Sequence, residues 1–524
     1  MKTESIIIFI IYLFVLLFIG VWFSRKASKS IDNYLLGGRS IGPAVTALTM
    51  QSTSMSGYMF MGGPALAFQQ GWYALWYAIG DAGGSIINLS VLGKRMRRLS
   101  ELLGALSPIE YLEKRFESPA IRVVGSIISI IFLMAYVFAQ FIASGKTLTM
   151  LTGFPYEVCL IIGVSVIILY TVSGGYLAVV WTDFFQGIIM VLGVLGIGIM
   201  AFFSVNGLSG LNAAIADIDP TYLSIWGKDL VYYGQWGVVL GAILIYSIGY
   251  MGLPHVVVRH MSMKSTKTVK HAILYSAIWN QLFVFTPYIL GLVGIVMLPD
   301  LSDPEMVIPE LAYQFFPSFF AAILLSAIMA AIMSTSDSCL MQAGSILSRD
   351  IYQRFIKKDA DHRNMVLVSR LCILAGGIVG VIVAIFEPPS VFTLVVFAFG
   401  VLGNSFLVPY VASVYSKKTT NVGALTSIIA GGTTNIIWTA GNLEAMTAIH
   451  PFLAGLILSF IGLFIGNRFG QTPSQPVLDA FEKAKGIRKE SRKITKHIAK
   501  DLSPESKNIS EFLQQMPEGT KSMI

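Results

Sequence analysis

The sequence is expected to form an all-α polytopic membrane protein with thirteen transmembrane helices. Composition is the first reason: 55% of the 524 residues are hydrophobic and 13% are charged, where a soluble domain carries about 25% charged residues. Length is the second. Apolar runs of about 20 residues, enough to cross a hydrocarbon core of about 30 Å as a helix, recur from end to end. The third is the placement of the bases. Thirteen spans with an outer N-terminus define six inner regions: 25–40, 94–122, 258–270, 348–370, 416–420 and 467–524. They hold 34 of the 37 lysines and arginines, leaving only Lys2, Lys146 and Lys228 outside. Inner regions of helical membrane proteins are enriched in bases, and a wrong span count would scramble that bias. The net charge of +8 is therefore distributed by topology and does not point to nucleic acid.

The spans are expected at about 4–24, 41–68, 71–93, 120–150, 156–176, 180–204, 232–257, 270–298, 317–347, 365–386, 390–415, 421–441 and 448–466. The first is a retained span, because its apolar run is too long for a signal peptide and Arg25-Lys26 follows in place of a cleavage motif. The second carries QSTSMSG (51–57) and then Gly62-Gly63-Pro64, which an anchoring helix would not use. The third holds Asp81 at mid-span. A charge at the bilayer centre costs roughly 2.5–3.5 kcal/mol on insertion scales, so Asp81 is a candidate for binding a substrate ammonium or a coupling proton. The competing reading is a hydrogen-bonded acid that tightens packing. The sixth begins near the inner surface with Asp183 in Trp181-Thr182-Asp183. The seventh is broken by YSIGYMGLPH (246–255), whose lone His255 reads as a packing residue before a proton relay. The ninth carries AAIMSTSDSCL (330–340), with Ser334, Thr335 and Ser338 within about one turn and Asp337 beside them. The remaining spans are plain. Membrane residues 1–466 are followed by a basic tail, 467–524, expected inside. It includes FEKAKGIRKESRKITKHIAK, expected to be helical, and is read as a solvated tail before a lipid-surface helix.

Interrupted helices in corresponding positions of two halves mark a transporter of inverted repeats, with substrate and ion sites where the helices break. Carbonyls freed inside a membrane must be paired or line a site, and a carbonyl is a hard oxygen ligand suited to an alkali cation. Hydroxyls of the ninth span facing carbonyls of the second would make a sodium-sized cage. The alternative is that those hydroxyls bond back to their own helix. Asp183, Asp337 and Ser338 could form a second cation site on the inner exit path. They could instead bind a proton, or an acid could pair with Arg259 or Arg349. Cys159, Cys339 and Cys372 sit in apolar segments without disulfide or metal spacing. No phosphate-cradling loop is present, which argues against ATP-driven transport. Neither enzymatic activity nor a cofactor is expected.

The stretches LLGGRSIGP (35–43), MSGYMFMGGP (55–64), YTVSGGYLAVVWTDFFQ (170–186), GYMGLPHVVVRHM (249–261) and LLSAIMAAIMSTSDS (324–338) resemble the sodium:solute symporter family. In motif the chain is most similar to sodium/proline symporters, over about residues 5 to 466. The resemblance implies a five-plus-five inverted repeat, 41–204 and 232–415, in a monomeric multi-pass cell-membrane protein whose partners are sodium, a small organic solute and the bilayer. It implies a sodium site of the Ser52, Met55 and Ala331 carbonyls with the Ser334 and Thr335 hydroxyls. It places substrate beside Tyr246 to Pro254, lined by Tyr58, Tyr246, Tyr250 and Pro254, with Tyr136 a further candidate. This chain departs from proline symporters at Ser54 (aspartate there), Tyr58 and Tyr246 (tryptophan) and Leu253 (glutamine). Proline or a related amino acid is the expected substrate, with a small monocarboxylate as the alternative. A sensor would need a signalling domain and a channel a repeated filter, and neither is visible in the sequence.

Overall fold

The computed structural model describes residues 3–27, 29–386 and 390–485. Among them there is no β-strand, and helices dominate. Numbered in chain order, leaving aside the connecting helices Ile31–Leu36, Gly207–Ile218, Val307–Phe315 and Leu443–Thr447 and the 3₁₀ and π turns, the first are α1 (Thr3–Ala27), α2 (Pro43–Ser54), α3 (Gly63–Gln70), α4 (Leu75–Asn88), α5 (Lys94–Leu102) and α6 (Pro108–Phe116). Next come α7 (Pro119–Thr152), α8 (Tyr156–Ser204), α9 (Trp236–Ser247), α10 (Pro254–Ser262), α11 (Thr266–Phe283) and α12 (Thr286–Met297). The last are α13 (Ser318–Ser345), α14 (His362–Ile385), α15 (Val391–Tyr415), α16 (Asn421–Ala440), α17 (Pro451–Gly466) and α18 (Gln475–Lys485).

The burial pattern is that of a bundle whose outer solvent is lipid. On α14 the exposed residues Leu367, Leu371, Leu374, Ile378 and Ile382 recur at three- and four-residue steps, one face of a helix. An apolar stripe of that length on a water-facing surface would drive aggregation. Helix α13 is the opposite case: every residue from Leu324 to Ser345 is buried. It forms the post against which α1, α2, α7, α8 and α14 pack.

Both helices that the sequence marks as interrupted are broken. The first halts at Ser54; Met55 turns out of helical geometry at φ −88°, ψ 62°, and a π-helical turn over Tyr58–Gly62 leads into α3. The second halts at Ser247, passes a short 3₁₀ turn over Gly249–Gly252, and restarts after an extended Leu253 with Pro254 as the first residue of α10. Proline suits that position because it has no N–H to lose. Segments 156–176 and 180–204 join in the single run α8, which turns a corner at Gly175, φ 58° and ψ −160°. A Cβ there would lie 2.7 Å from the Tyr34 ring, so both backbone and space require glycine.

The start of the first broken segment is tied to the end of the second. Ile41, just before α2, pairs with Met263, just after α10: the Ile41 N–H donates to the Ser262 carbonyl at 3.3 Å, and Lys264 N–H donates to the Ile41 carbonyl at 2.9 Å. Arg39 adds donations to the Met261 carbonyl at 2.9 Å and the Ala105 carbonyl at 2.6 Å. Beside this lies a second knot. Arg122 pairs with Glu113 and, at 2.8 Å, with Asp350, while Arg349 pairs with Glu110 at 2.9 Å. The first part of the basic tail is also packed down. Phe481 of α18 is buried under the Arg115 guanidinium, 4.8 Å from its ring centre, and Arg98 donates to the Lys483 carbonyl. The tail from 486 onward, with most of its basic stretch, lies outside the described residues.

This knot yields two expectations. Arg122→Ala leaves Asp350 buried without its guanidinium and should cost about 3–5 kcal/mol, seen as a lower melting temperature of the purified protein. For Glu110, burial alone would raise the carboxyl, but Arg349, with Lys114 and Arg122, holds it at about 2 instead of 4.5. A carboxyl depressed by folding stabilises fully above its unfolded value and loses that stabilisation as pH falls through the folded one. Melting temperature should therefore drop between about pH 4.5 and 2, and drop less steeply in Glu110→Gln.

Candidate functional site

A helix that ends inside a membrane leaves its last carbonyls without partners. The end of α2 meets this problem with hydroxyls from other elements. Ser334 Oγ donates to the Ser52 carbonyl at 2.9 Å, and Thr335 Oγ1 donates to the Thr53 carbonyl at 2.9 Å. The same hydroxyls also reach the Ala331 carbonyl on their own helix, at 3.1 and 3.3 Å. The hydroxyls thus face the carbonyls of the second span and also bond back to their own helix. The structure brings Ser52, Ala331, Ser334 and Thr335 together and puts Met55 at the turn beside them. It adds the Thr53 carbonyl, which the sequence reading did not name. The Ser52, Thr53 and Ala331 carbonyls and the Ser334 and Thr335 hydroxyls are hard oxygens gathered at the negative pole of α2. That donor set suits sodium.

One turn further inward on α13 the surroundings change. Arg259, counted from sequence among inner-loop bases, is not in a loop. It lies on α10, 1% exposed, with its guanidinium among the residues considered for a second cation. Its Nη2 donates to Asp183 Oδ2 at 2.8 Å, Thr53 Oγ1 at 2.6 Å and Ser338 Oγ at 2.7 Å. Its Nε donates to Thr49 Oγ1 at 3.1 Å, and its Nη1 to the His255 carbonyl. Asp183 and Ser338 are therefore brought together around a base. Asp337 faces elsewhere and accepts from Tyr170 Oη at 2.8 Å.

The substrate candidates gather around the second break. Tyr246 stacks among Tyr58, at 4.9 Å between ring centres, and Phe399, also at 4.9 Å. Tyr58 Oη and Tyr288 Oη are 2.6 Å apart. Tyr250 Oη donates to Asp81 Oδ1 at 2.7 Å and also lies 3.4 Å from the Ser54 carbonyl. The Ser54 hydroxyl itself bonds back to Met50 in its own helix. Asp81 therefore reaches the place where Ser54 stands, by way of one tyrosine. Its other oxygen, Oδ2, has no hydrogen-bond partner although Asp81 is buried. Tyr136 Oη donates to Ser56 Oγ at 3.1 Å and its ring stands 5.7 Å from that of His255. Pro254 is buried at the head of α10, and Gln140 receives the Gly57 N–H. Tyr288, Phe399 and Gln140 were not singled out from sequence, since each sits in an otherwise plain span.

Two interrupted helices crossing at their breaks, with hydroxyls of a third closing on the freed carbonyls, define an ion-coupled secondary transporter. The family profile of the sodium:solute symporters matches residues 34–431, and the chain belongs to that family. It is 32% identical over 482 residues to the osmoregulated proline transporter OpuE of Bacillus subtilis, covering 91% of this chain and 96% of that protein. It is 33% identical over 475 residues to the high-affinity proline transporter PutP of the same organism, covering 89% and 98%. Among solved structures it resembles a substrate-bound, outward-open Na+-coupled sialic acid symporter, with a TM-score of 0.72 at 22% identity over 90% of this chain and 99% of that one. The nucleobase-cation-symport transporter Mhp1 in a closed conformation matches with a TM-score of 0.55 at 14% identity, covering 86% and 98%. At these identities the two structures show the fold.

Tyr250→Phe removes the donor that Asp81 Oδ1 uses. A hydrogen bond to a charged group contributes about 1.5–3 kcal/mol, and the variant should lose that much stability. Urea unfolding of the detergent-solubilised protein, followed by circular dichroism, checks it. An unchanged midpoint would mean that Asp81 draws nothing from Tyr250.

Proposed function

We propose that the protein is a sodium-coupled symporter that imports proline or a closely related amino acid. The observation that carries this reading is the meeting of Asp81, Tyr250 and the Ser54 carbonyl at the crossing of the two breaks, one turn from the Ser334–Thr335 oxygens. Asp81 offers a buried carboxylate oxygen to an ammonium, and the positive pole of α10 at Pro254 offers a partner to a carboxylate. Tyr58, Tyr246 and Phe399 supply an aromatic wall. A bare monocarboxylate would instead meet the Asp81 charge with nothing to balance it. The names of the relatives, proline transporters both, support the same choice.

In this reading thirteen spans, with the N-terminus outside and the tail inside, contain two inverted five-helix repeats, 41–204 and 232–415. The protein works as a monomer in the cell membrane. Sodium enters as the driving substrate. It is held by the Ser52, Met55 and Ala331 carbonyls, with Thr53 contributing, and by the Ser334 and Thr335 hydroxyls. Those hydroxyls now donate to α2 carbonyls, so sodium binding must turn their lone pairs inward and loosen the direct link between α2 and α13. Sodium thereby fixes the break in α2 against which Tyr250 and Asp81 are placed. The coupling free energy is reciprocal: the factor by which sodium tightens proline equals that by which proline tightens sodium.

Uptake of labelled L-proline into proteoliposomes tests this directly. Uptake should rise with an inward sodium gradient and vanish in Ser334→Ala. Asp81→Asn should weaken proline binding roughly tenfold or more, equivalent to about 1.4 kcal/mol or above. If Asp81→Asn transports proline at full affinity, the ammonium is bound elsewhere.

A further inference from the structure

We propose that the guanidinium of Arg259 is itself the second cation of this transporter, tethered to α10 and never exchanged, so that one sodium ion moves per substrate molecule. The inference rests on the reading of the chain as a sodium-coupled symporter and adds its stoichiometry.

The geometry around Arg259 is that of a filled cation site. Asp183 Oδ2, Thr49 Oγ1, Thr53 Oγ1, Ser338 Oγ and the His255 carbonyl all accept from one side chain. They come from α2, α8, α10 and α13, four elements that no single segment of chain would bring together. Each is an oxygen of the kind sodium prefers. The arginine is 1% exposed and the aspartate fully buried, so neither charge is neutralised by water. Removing either partner of such a pair leaves an uncompensated charge. A fork of five donors fits this spread of acceptors where an ammonium would act as a point charge. Thr53 links this place to the principal site: its hydroxyl meets Arg259 while its carbonyl accepts from Thr335. Ser338 lies one turn below Ser334 on α13. A second sodium would need the same Thr53 and Ser338 hydroxyls that the guanidinium holds, leaving it of Asp183 only Oδ1, which has no hydrogen-bond partner.

A charge carried by the protein is not consumed in transport. It returns with α10 in every cycle and contributes nothing to the driving force. Sodium leaving inward from Ser334 must also pass this base, so Arg259 has to release Asp183 before the inner path opens.

Equilibrium binding of radioactive sodium to the purified protein counts the sites without any substrate. The expected result is one ion per wild-type chain, none in Ser334→Ala and two in Arg259→Ser, where the freed oxygens accept a second ion. The sodium-to-proline flux ratio in proteoliposomes should be one. Two bound ions in the wild type, or a flux ratio of two, overturns the proposal even if Arg259→Ser fails to fold. A folded Arg259→Ser that still binds one ion also overturns it. One bound ion without proline uptake sinks the proline assignment and leaves the tethered cation standing. No bound sodium sinks the sodium reading and this inference with it.

Discussion

The structure turns on the need to satisfy the backbone where α2 stops inside the membrane. Lipid offers no hydrogen bonds, so each carbonyl exposed there must find a donor or an ion. Ser52 and Thr53 find donors in two adjacent residues of α13, and that requirement fixes the position of a helix buried without interruption from Leu324 to Ser345. From it follow the small residues of QSTSMSG, which let α13 approach. It also explains the hydroxyls of MSTSDS, which are wasted on a plain span but required opposite a broken one. The feature that would destabilise an ordinary membrane helix thereby becomes a place where a cation can replace a proton donor without loss of contacts.

Much of this was legible in the sequence because polar residues are costly in lipid and stand out. The two breaks, Asp81 and the serine-threonine cluster each announce themselves against apolar neighbours. Arg259 does not, because it follows a break by only a few residues and precedes the inner loop with Lys264, Lys267 and Lys270. Counted with those lysines it looks like one more topological base. Only the fold shows that α10 carries it back toward Asp183. A carboxylate as buried as Asp183 is itself the clue that a base must be near. The reversal after residue 176 was expected as a loop between two spans; that the chain stays helical through it and turns at Gly175 alone was not, because a positive φ leaves no mark in the hydropathy pattern. Thr53 was passed over because what it brings to the proposed ion site is a main-chain oxygen, which every residue possesses.

At the proposed substrate side an acid stands one residue removed from the break. Ser54 cannot act as an acid, and its hydroxyl is spent on Met50. Tyr250 stands between that position and Asp81, so a carboxylate on α4 serves the crossing point through a phenol. The negative charge has moved from one interrupted helix to a neighbouring intact one. An acid held on a continuous helix does not shift when the interrupted segment tilts, and the distance between it and the break then reports the state of the transporter.

The pairing of Ile41 with Met263 has a mechanical consequence. It fastens the start of one broken segment to the end of the other through the main chain, with Arg39 as an added rivet. Two levers joined at their tips have a single degree of freedom. With the cation and the solute placed as proposed, the two half-helices must swing as one crank, and a passage that opened for only one of the two cargoes would first have to tear that joint.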